Sequence, residues 1–263
     1  MKTDGEKKVE QEQNTTEKIN FKDLQFGWFV GHGLVVLNAT IFFLSRLLFF
    51  PLGFFYRASY VGIIISYSIV LFNSYKPLAT NQSFFKRVLL DENTQYLIVA
   101  VYFFLTKRIA SRNINMSLDR KAQFTLLPFY IYSVFHVMEY TEKHLIPTFA
   151  PTQTKIQQSI NNLMNTYHSK AMEYAAKIEI CGVMTRLVLG LFVFKSTILS
   201  ILIYAQFLRM RYYMSTDSRE FLTELGSKVD RFLTPPTAHP NVPPAVLKAY
   251  ATVKEKTTPK KTL

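Results

Sequence analysis

Residues 181–207 read CGVMTRLVLGLFVFKSTILSILIYAQF, and LRMRYY comes next at 208–213. The run holds two basic side chains, Arg186 and Lys195, and no acid. About 20 apolar residues carry a helix through the ~30 Å hydrocarbon core of a bilayer. Arg and Tyr at the end of such a run are what a membrane–water interface selects. The chain therefore reads as membrane-embedded, with a basic, soluble tail behind the last apolar run. Lys195 also divides that run into two half-length pieces, 183–194 and 196–207. The run then either crosses once or bends as a hairpin dipping into one leaflet.

Working outward, residues 28–50 and 54–75 give two more apolar runs, separated by a break at Pro51-Leu52-Gly53. The first, ~34 Å long as a helix, is sufficient to span. Residues 122–138 supply a third run at the short limit. Residues 95–106 are apolar but too short to cross alone, which suggests a re-entrant or interfacial helix. The fold class expected is all-α: a polytopic helical membrane protein with about four spans, a re-entrant segment and a C-terminal amphipathic helix. Its three parts are a disordered cytosolic tail over 1–25, a helical membrane domain over 26–213, and a cytosolic tail over 214–263.

The 263 residues carry a formal net charge of +13. In a membrane protein the first meaning of basic excess is topology; no nucleic-acid motif accompanies it. Basic residues number 5 in 1–25, 3 in 76–94, 5 in 107–121, 10 in 208–263 and 4 in 139–180. Placing both termini and residues 107–121 in the cytosol collects the densest charge on one side, provided 95–106 does not cross. Residues 139–180, with Pro147 and Pro151 as breakers and a helix over 155–177, fall on the other side. Asn-x-Ser/Thr matches at Asn14, Asn38, Asn81 and Asn115 then sit in cytosolic parts or, for Asn38, inside a span. Glycosylation is not expected. Cys181 is the single cysteine, so no intrachain disulfide forms. The first apolar run starts too late for a cleaved signal peptide and serves as an anchor.

In the tail, residues 217–233 alternate as an amphipathic helix. Phe221, Leu225, Val229 and Phe232 form its apolar stripe, and these are the candidate membrane-insertion residues. Lys228, Arg231, Lys254, Lys256, Lys260 and Lys261 are candidates for contact with anionic lipid, worth ~1 kcal/mol per basic residue near the surface, or with a partner. The bland alternative packs this helix on the protein's own loops. Pro235-Pro236 and Pro243-Pro244 bracket an extended spacer, and a second short helix is expected over 245–256. A basic tail of this kind also suits an acidic nuclear transport receptor.

No HExxH, P-loop, Gly-x-Ser-x-Gly or paired cysteine is present, and no metal or cofactor is expected. His136, Glu139 and Lys143 fall at helical spacing. An alternative reading makes the chain a membrane-embedded enzyme or lipid-handling protein using His136 and Glu139; the bland reading is an interfacial histidine bonded within the bundle. Intramembrane charge marks function by default, but a transporter would want internal repeats and an acidic partner, and neither is visible. Gly27 and Gly31, four apart, permit close helix contact.

Several segments in order resemble one family. They are Phe55-Tyr56-Arg57-Ala58; Leu89-Leu90-Asp91 with Tyr96-Leu97; and His136 with Tyr140-Thr141, Lys143 and Leu145. Glu179-Ile180 comes after these, and then Phe207-Leu208 with Arg211-Tyr212, Arg219 and Glu224-Leu225. Together they are similar to the transmembrane protein 33 family, over roughly residues 52–226, and the Pro-rich spacer and basic end look like its fungal pore-membrane branch. The resemblance implies a non-enzymatic protein of the endoplasmic reticulum and nuclear envelope, tied to membrane curvature and nuclear pore organisation. Implied partners are the lipid bilayer, reticulon-type proteins and nucleoporin membrane proteins. No catalytic residue is carried over.

Overall fold

A computed structural model describes residues 23–49, 52–76, 82–110, 123–192, 194, 196–234 and 242–257. Every element among them is helical. In order these are α1 (Leu24–Leu47), α2 (Gly53–Tyr75), α3 (Gln82–Leu90), α4 (Glu92–Ala110), α5 (Gln123–Tyr140), α6 (Ile146–Phe149), α7 (Thr154–Lys177), α8 (Met184–Phe192), α9 (Ile198–Met214), α10 (Thr216–Leu233) and α11 (Pro244–Thr257). The expected disordered tail lies outside the described residues up to 22. Asp23 caps α1 by accepting from the Gln25 N–H at 3.3 Å, which satisfies one of the donors a helix start leaves open.

By length and hydropathy α1 and α2 can each cross a membrane. α3 and the apolar part of α4 qualify only together, and they bend by 66° at Asp91. The α1–α2 hairpin is close because glycines face each other. A Cβ at Gly31 would run into Ser66 Oγ, and one at Gly62 would sit 2.7 Å from the Gly31 carbonyl. Small residues that let backbones approach replace the missing hydrophobic drive between helices in lipid. Gly27 contributes less: its nearest neighbour is the tip of Ile69 at 3.2 Å.

The bundle's direction can be traced through its rings. Tyr67 stacks on Tyr96 (5.4 Å) and Tyr60 faces Phe103 (6.4 Å), so α4 runs antiparallel to α2. Phe43 meets Tyr130 (5.4 Å) while Phe29 stacks on Tyr140 (4.4 Å), so α5 runs antiparallel to α1. Tyr204 faces Phe103 (6.1 Å) and Phe207 faces Tyr96 (5.1 Å), which sets α9 antiparallel to α4. The start of α1, the end of α2, α3, the end of α9 and α10 therefore share one end of the bundle, the tail end. The α1–α2 turn, the end of α4, the start of α5 and the α8–α9 turn share the other, the turn end.

This arrangement corrects two expectations. α4 is a 19-residue helix running from the tail end to the turn end, not a 12-residue dip. The apolar count stopped at the flanking charges, whereas helix propagation does not. The end of α4 and the start of α5 therefore lie at the turn end, opposite α10, and residues 111–122 between them are outside the described residues. Residues 139–180 sit at the tail end instead. There α5 continues through a π-helical turn, Thr141–Leu145, into α6, so Pro147 does not break it. A proline lacks the N–H its turn needs and crowds the carbonyl four residues back; the wider turn ahead of it makes room. α7 returns antiparallel, passes a second π turn, Ile178–Val183, and becomes α8. Residues 154–192 thus form one helical line ~58 Å long, whose polar first half projects past the bundle.

Residues 181–207 are divided between two helices. α8 ends at Phe192, and α9 starts under a capping box in which Thr197 and Ser200 exchange side-chain and backbone bonds. The described residues bend back between Phe192 and Ile198, as the bent alternative has it.

Candidate functional site

The bundle buries one charged network. The second π turn aims Glu179 inward, where it is 2% exposed. An extra residue in a helical turn rotates the helix beyond it and re-aims side chains. Tyr96 and Tyr132 hydroxyls donate to Glu179 Oε1 at 3.0 and 3.2 Å. Arg211 Nε donates to Oε2 at 3.3 Å, and the Tyr204 hydroxyl to the Glu179 carbonyl at 3.1 Å. Arg211, itself 6% exposed, completes its fork with Nη1 on Glu92 and Nη2 on the Tyr132 hydroxyl at 3.2 Å. Its guanidinium also lies 5.3 Å from the Tyr96 ring centre, within the range where a ring face attracts a cation.

Both carboxylate oxygens of Glu179 and all three guanidinium nitrogens of Arg211 are occupied. The network works as a clamp. It joins α4, α5, the π turn and α9 through charge that is costly to bury and costlier to unpair. Arg211 is four residues ahead of Ser215, the N-cap of α10, so the clamp also fixes where the tail leaves the bundle. Sequence reasoning read Arg211 as an interfacial exit. Tyr212 and Tyr213 are exposed as an interface would have them, but Arg211 turns inward to Glu179. The only signal was that Tyr96, Glu179 and Arg211 each belonged to a resembling segment.

The histidines form a separate cluster. His32 Nδ1 lies 2.9 Å from Ser133 Oγ. Its ring is 4.7 Å from that of His136, and Trp28 packs edge-on to both, at 4.8 and 5.0 Å. Glu139 is not part of it: its carboxylate pairs with Lys143 at 2.7 Å on the exposed side. Each residue of the enzyme reading thus has a contact of its own, rings for His136 and Lys143 for Glu139. Among the described residues no group of His, Cys, Asp or Glu could hold a metal ion. Asn38 Nδ2 donates to the Leu34 carbonyl at 2.7 Å inside α1, which satisfies it within its own helix.

In the tail, α10 spans nearly the residues its periodicity predicts. Its stripe is divided. Phe221, Leu222 and Leu225 are half-buried against the bundle's core, with Lys177 Nζ 5.9 Å from the Phe221 ring centre. Val229 is half-buried, and Phe232 is 50% exposed. Lys228 is exposed and pairs with Glu224 at 2.7 Å, holding that carboxyl below the usual range. Arg231 is exposed. Lys254 and Lys256 fall on the last turns of α11; Lys260 and Lys261 lie outside the described residues. The Tyr250 hydroxyl donates to Asp230 Oδ1 at 2.7 Å, tying α11 to α10.

An all-helical bundle with apolar crossing helices, a buried ionic clamp and an amphipathic tail defines a polytopic membrane protein. More particularly, the chain belongs to the family described as transmembrane protein 33/nucleoporin POM33, whose profile matches residues 7–259. It is 31% identical to "Tetra-spanning protein 1" of Schizosaccharomyces pombe, over 89% of this chain and 82% of that one. It is 27% identical to "Pore membrane protein of 33 kDa" of Saccharomyces cerevisiae, over 89% and 82%. It is 29% identical to "Nucleoporin POM33" of Chaetomium thermophilum, over 87% and 86%. No solved structure matches the chain.

Proposed function

We propose that the chain is a non-enzymatic membrane protein of the endoplasmic reticulum and nuclear envelope that stabilises curved membrane and supports nuclear pore complex distribution or assembly. The carrying observation is the unequal width of the bundle's two ends. The tail end bears α3, the projecting α6–α7 hairpin, α10 and α11; the described part of the turn end bears only tight turns. Mass inserted into or against one leaflet more than the other favours bending toward the wider end.

Two elements at the tail end fit a lipid surface. α3 exposes Phe85 and Leu89 beside Lys86 and Arg87. It is held across the axis of α4 by the Tyr75 hydroxyl, which donates to Asp91 Oδ2 at 3.0 Å. On α10, Phe221 and Leu225 dock the helix while Val229 and Phe232 reach outward to lipid. Lys228, Arg231, Lys254, Lys256, Lys260 and Lys261 supply the contact with anionic headgroups or with a transport receptor. Both termini are cytosolic in this reading. The names of two relatives, a pore membrane protein and a nucleoporin, support the pore, where reticulon-type and nucleoporin membrane proteins are the partners.

The test is reconstitution of the full chain, fluorescently labelled, into giant vesicles from which narrow tubes are drawn. Enrichment on the tube over the flat membrane is expected, with Val229→Asp/Phe232→Asp lowering it. Equal density on tube and vesicle would overturn the reading.

A further inference from the structure

The turn end carries two phenylalanines in a conformation that side chains avoid. Phe49 has φ 62° and Phe194 φ 54°, the two positive values among the described non-glycine residues. A bulky residue there is strained, and glycine would relieve it. Neither ring is packed on the protein: Phe49 is 86% exposed and Phe194 98%. Both sit in tight turns that are closed by specific hydrogen bonds. Ser45 Oγ donates to the Phe42 carbonyl at 2.8 Å and accepts the Leu52 N–H at 3.3 Å, closing the first turn. The Ser196 N–H donates to the Gly190 carbonyl at 3.1 Å, closing the second, where a Cβ on Gly190 would collide with Ser196.

Their surroundings are apolar and equally bare. Leu47, Leu48, Leu52 and Phe54 are exposed around the first turn, and Phe192, Ile198 and Leu199 around the second. The first turn, residues 47–53, is wholly apolar; in the second, Phe194 is followed by Lys195, Ser196 and Thr197, and a lysine at the boundary snorkels to the headgroups. One turn of helix before Phe49, Arg46 holds Nε and Nη2 buried with no partner on the protein. The rest of this half-buried side chain can reach lipid phosphate by snorkelling.

We propose that both turns stay inside the bilayer, with Phe49 and Phe194 as a pair of aromatic anchors seated in the interfacial region of the leaflet at the turn end, below its headgroups. The occupant of this surface is lipid. Three observations select it over a protein partner. The apolar cover is continuous with the lipid-facing sides of α1, α2 and α9, where Leu44, Val61 and Leu202 are likewise exposed. The two strained rings come from turns far apart in sequence yet lie at one end of the bundle. Arg46, a cation one helical turn from Phe49, suits a boundary with anionic phosphate. Phe and Leu on an exposed apolar face bury at the boundary between headgroups and acyl chains. The anchors fix how far the bundle sinks, and hence how much of the tail end stands in the opposite leaflet.

The experiment uses the full chain in phosphatidylcholine vesicles, with Cys181→Ser removing the native thiol. Single cysteines replace Phe49 or Phe194, and a control cysteine replaces Asn161 on the projecting part of α7. Each carries a nitroxide, and its collisions with oxygen and with a water-soluble nickel chelate are compared. Labels at 49 and 194 should collide several-fold less with the chelate than the label at 161, and more with oxygen. Chelate access at 49 and 194 equal to that at 161 would overturn the proposal. A second readout leaves the rings in place. With the nitroxide at Leu199, adding Phe194→Asp should raise chelate access, whereas Phe194→Leu should not. No difference between the two substitutions would overturn it as well. Protection of 49 and 194 that arises only after a soluble protein is added would assign the surface to a partner and overturn it.

Discussion

Two Glu–cation pairs in this chain have the same chemistry and opposite settings. Glu179 and Arg211 meet with side chains 2% and 7% exposed, while Glu224 and Lys228 meet with theirs 59% and 68% exposed. The first pair is surrounded by Tyr96, Tyr132 and Glu92, which bond to both carboxylate oxygens or to the guanidinium around them. The second is one turn of an exposed helix, where water screens the attraction and side-chain entropy opposes it. The bundle is therefore held by charge it cannot release, and the tail by contacts it can. A protein that must keep a rigid membrane core while its tail reads a surface needs that contrast.

The contrast breaks most sharply at Arg211. Arg211→Met strands two carboxylates, one fully buried, and should cost about 3–5 kcal/mol, read as a fall in the denaturation midpoint in detergent. Adding Glu179→Gln should recover much of the loss, because the unpaired charge is gone. A single variant as stable as the parent would mean the network is not a clamp. Next in size is the hairpin contact. Gly62→Ala puts a carbon 2.7 Å from the Gly31 carbonyl, and overpacking of this kind costs about 1–3 kcal/mol. Gly33 has open space around it, so Gly33→Ala should cost nothing in the same assay. Equal effects at 62 and 33 would dismiss the close approach.

How much of this could be read in the sequence depends on the range of the interaction. α10 and α7 were legible to within a residue or so, because their apolar spacing is local. The break between α8 and α9 was half legible: Lys195 interrupts the apolar run, but the run read equally well as crossing once. The clamp was not legible. Glu179 and Arg211 are 32 residues apart, and a charge count treats each as a flank of its own run. That count also put residues 107–121 on the tail's side, because it stopped α4 at its first polar flank, whereas the described end of α4, up to Ala110, lies at the turn end. Tertiary pairing along α2 and α9 decides that helix's length. The enzyme reading rested on helical spacing, which puts Glu139 near His136; in the structure Lys143 pairs with the carboxylate and aromatic rings pack on the imidazole.

On the tail side the effects should be smaller and local. Leu225→Asp places a carboxylate where α10 meets the core and should weaken docking by ~1–2 kcal/mol. Faster proteolysis of the segment after Leu233, with the bundle's own midpoint unchanged, is the expected signature. A drop in the bundle midpoint instead would show that tail and core unfold together, and the division between a locked core and a releasable tail would be lost.

The smallest effect tests the outermost joint. Tyr250 donates to Asp230, and that bond, with burial, holds the phenol's pKa above its ordinary value of 10.0. A raised folded pKa means the contact's contribution is fully present below the unfolded value and is lost as pH rises through the folded one. Between neutral pH and about 9, then, amide exchange in α11 should show no dependence on this side chain's ionisation. Above about 10 the phenolate would face a carboxylate, and α11 should open from α10 while α10 stays docked through Phe221 and Leu225. Tyr250→Phe removes the donor and the ionisation together, so its α11 should exchange faster at neutral pH and show no further step in the alkaline range. An alkaline step that survives in Tyr250→Phe would place the titrating group elsewhere, and the joint would then rest on apolar contact alone.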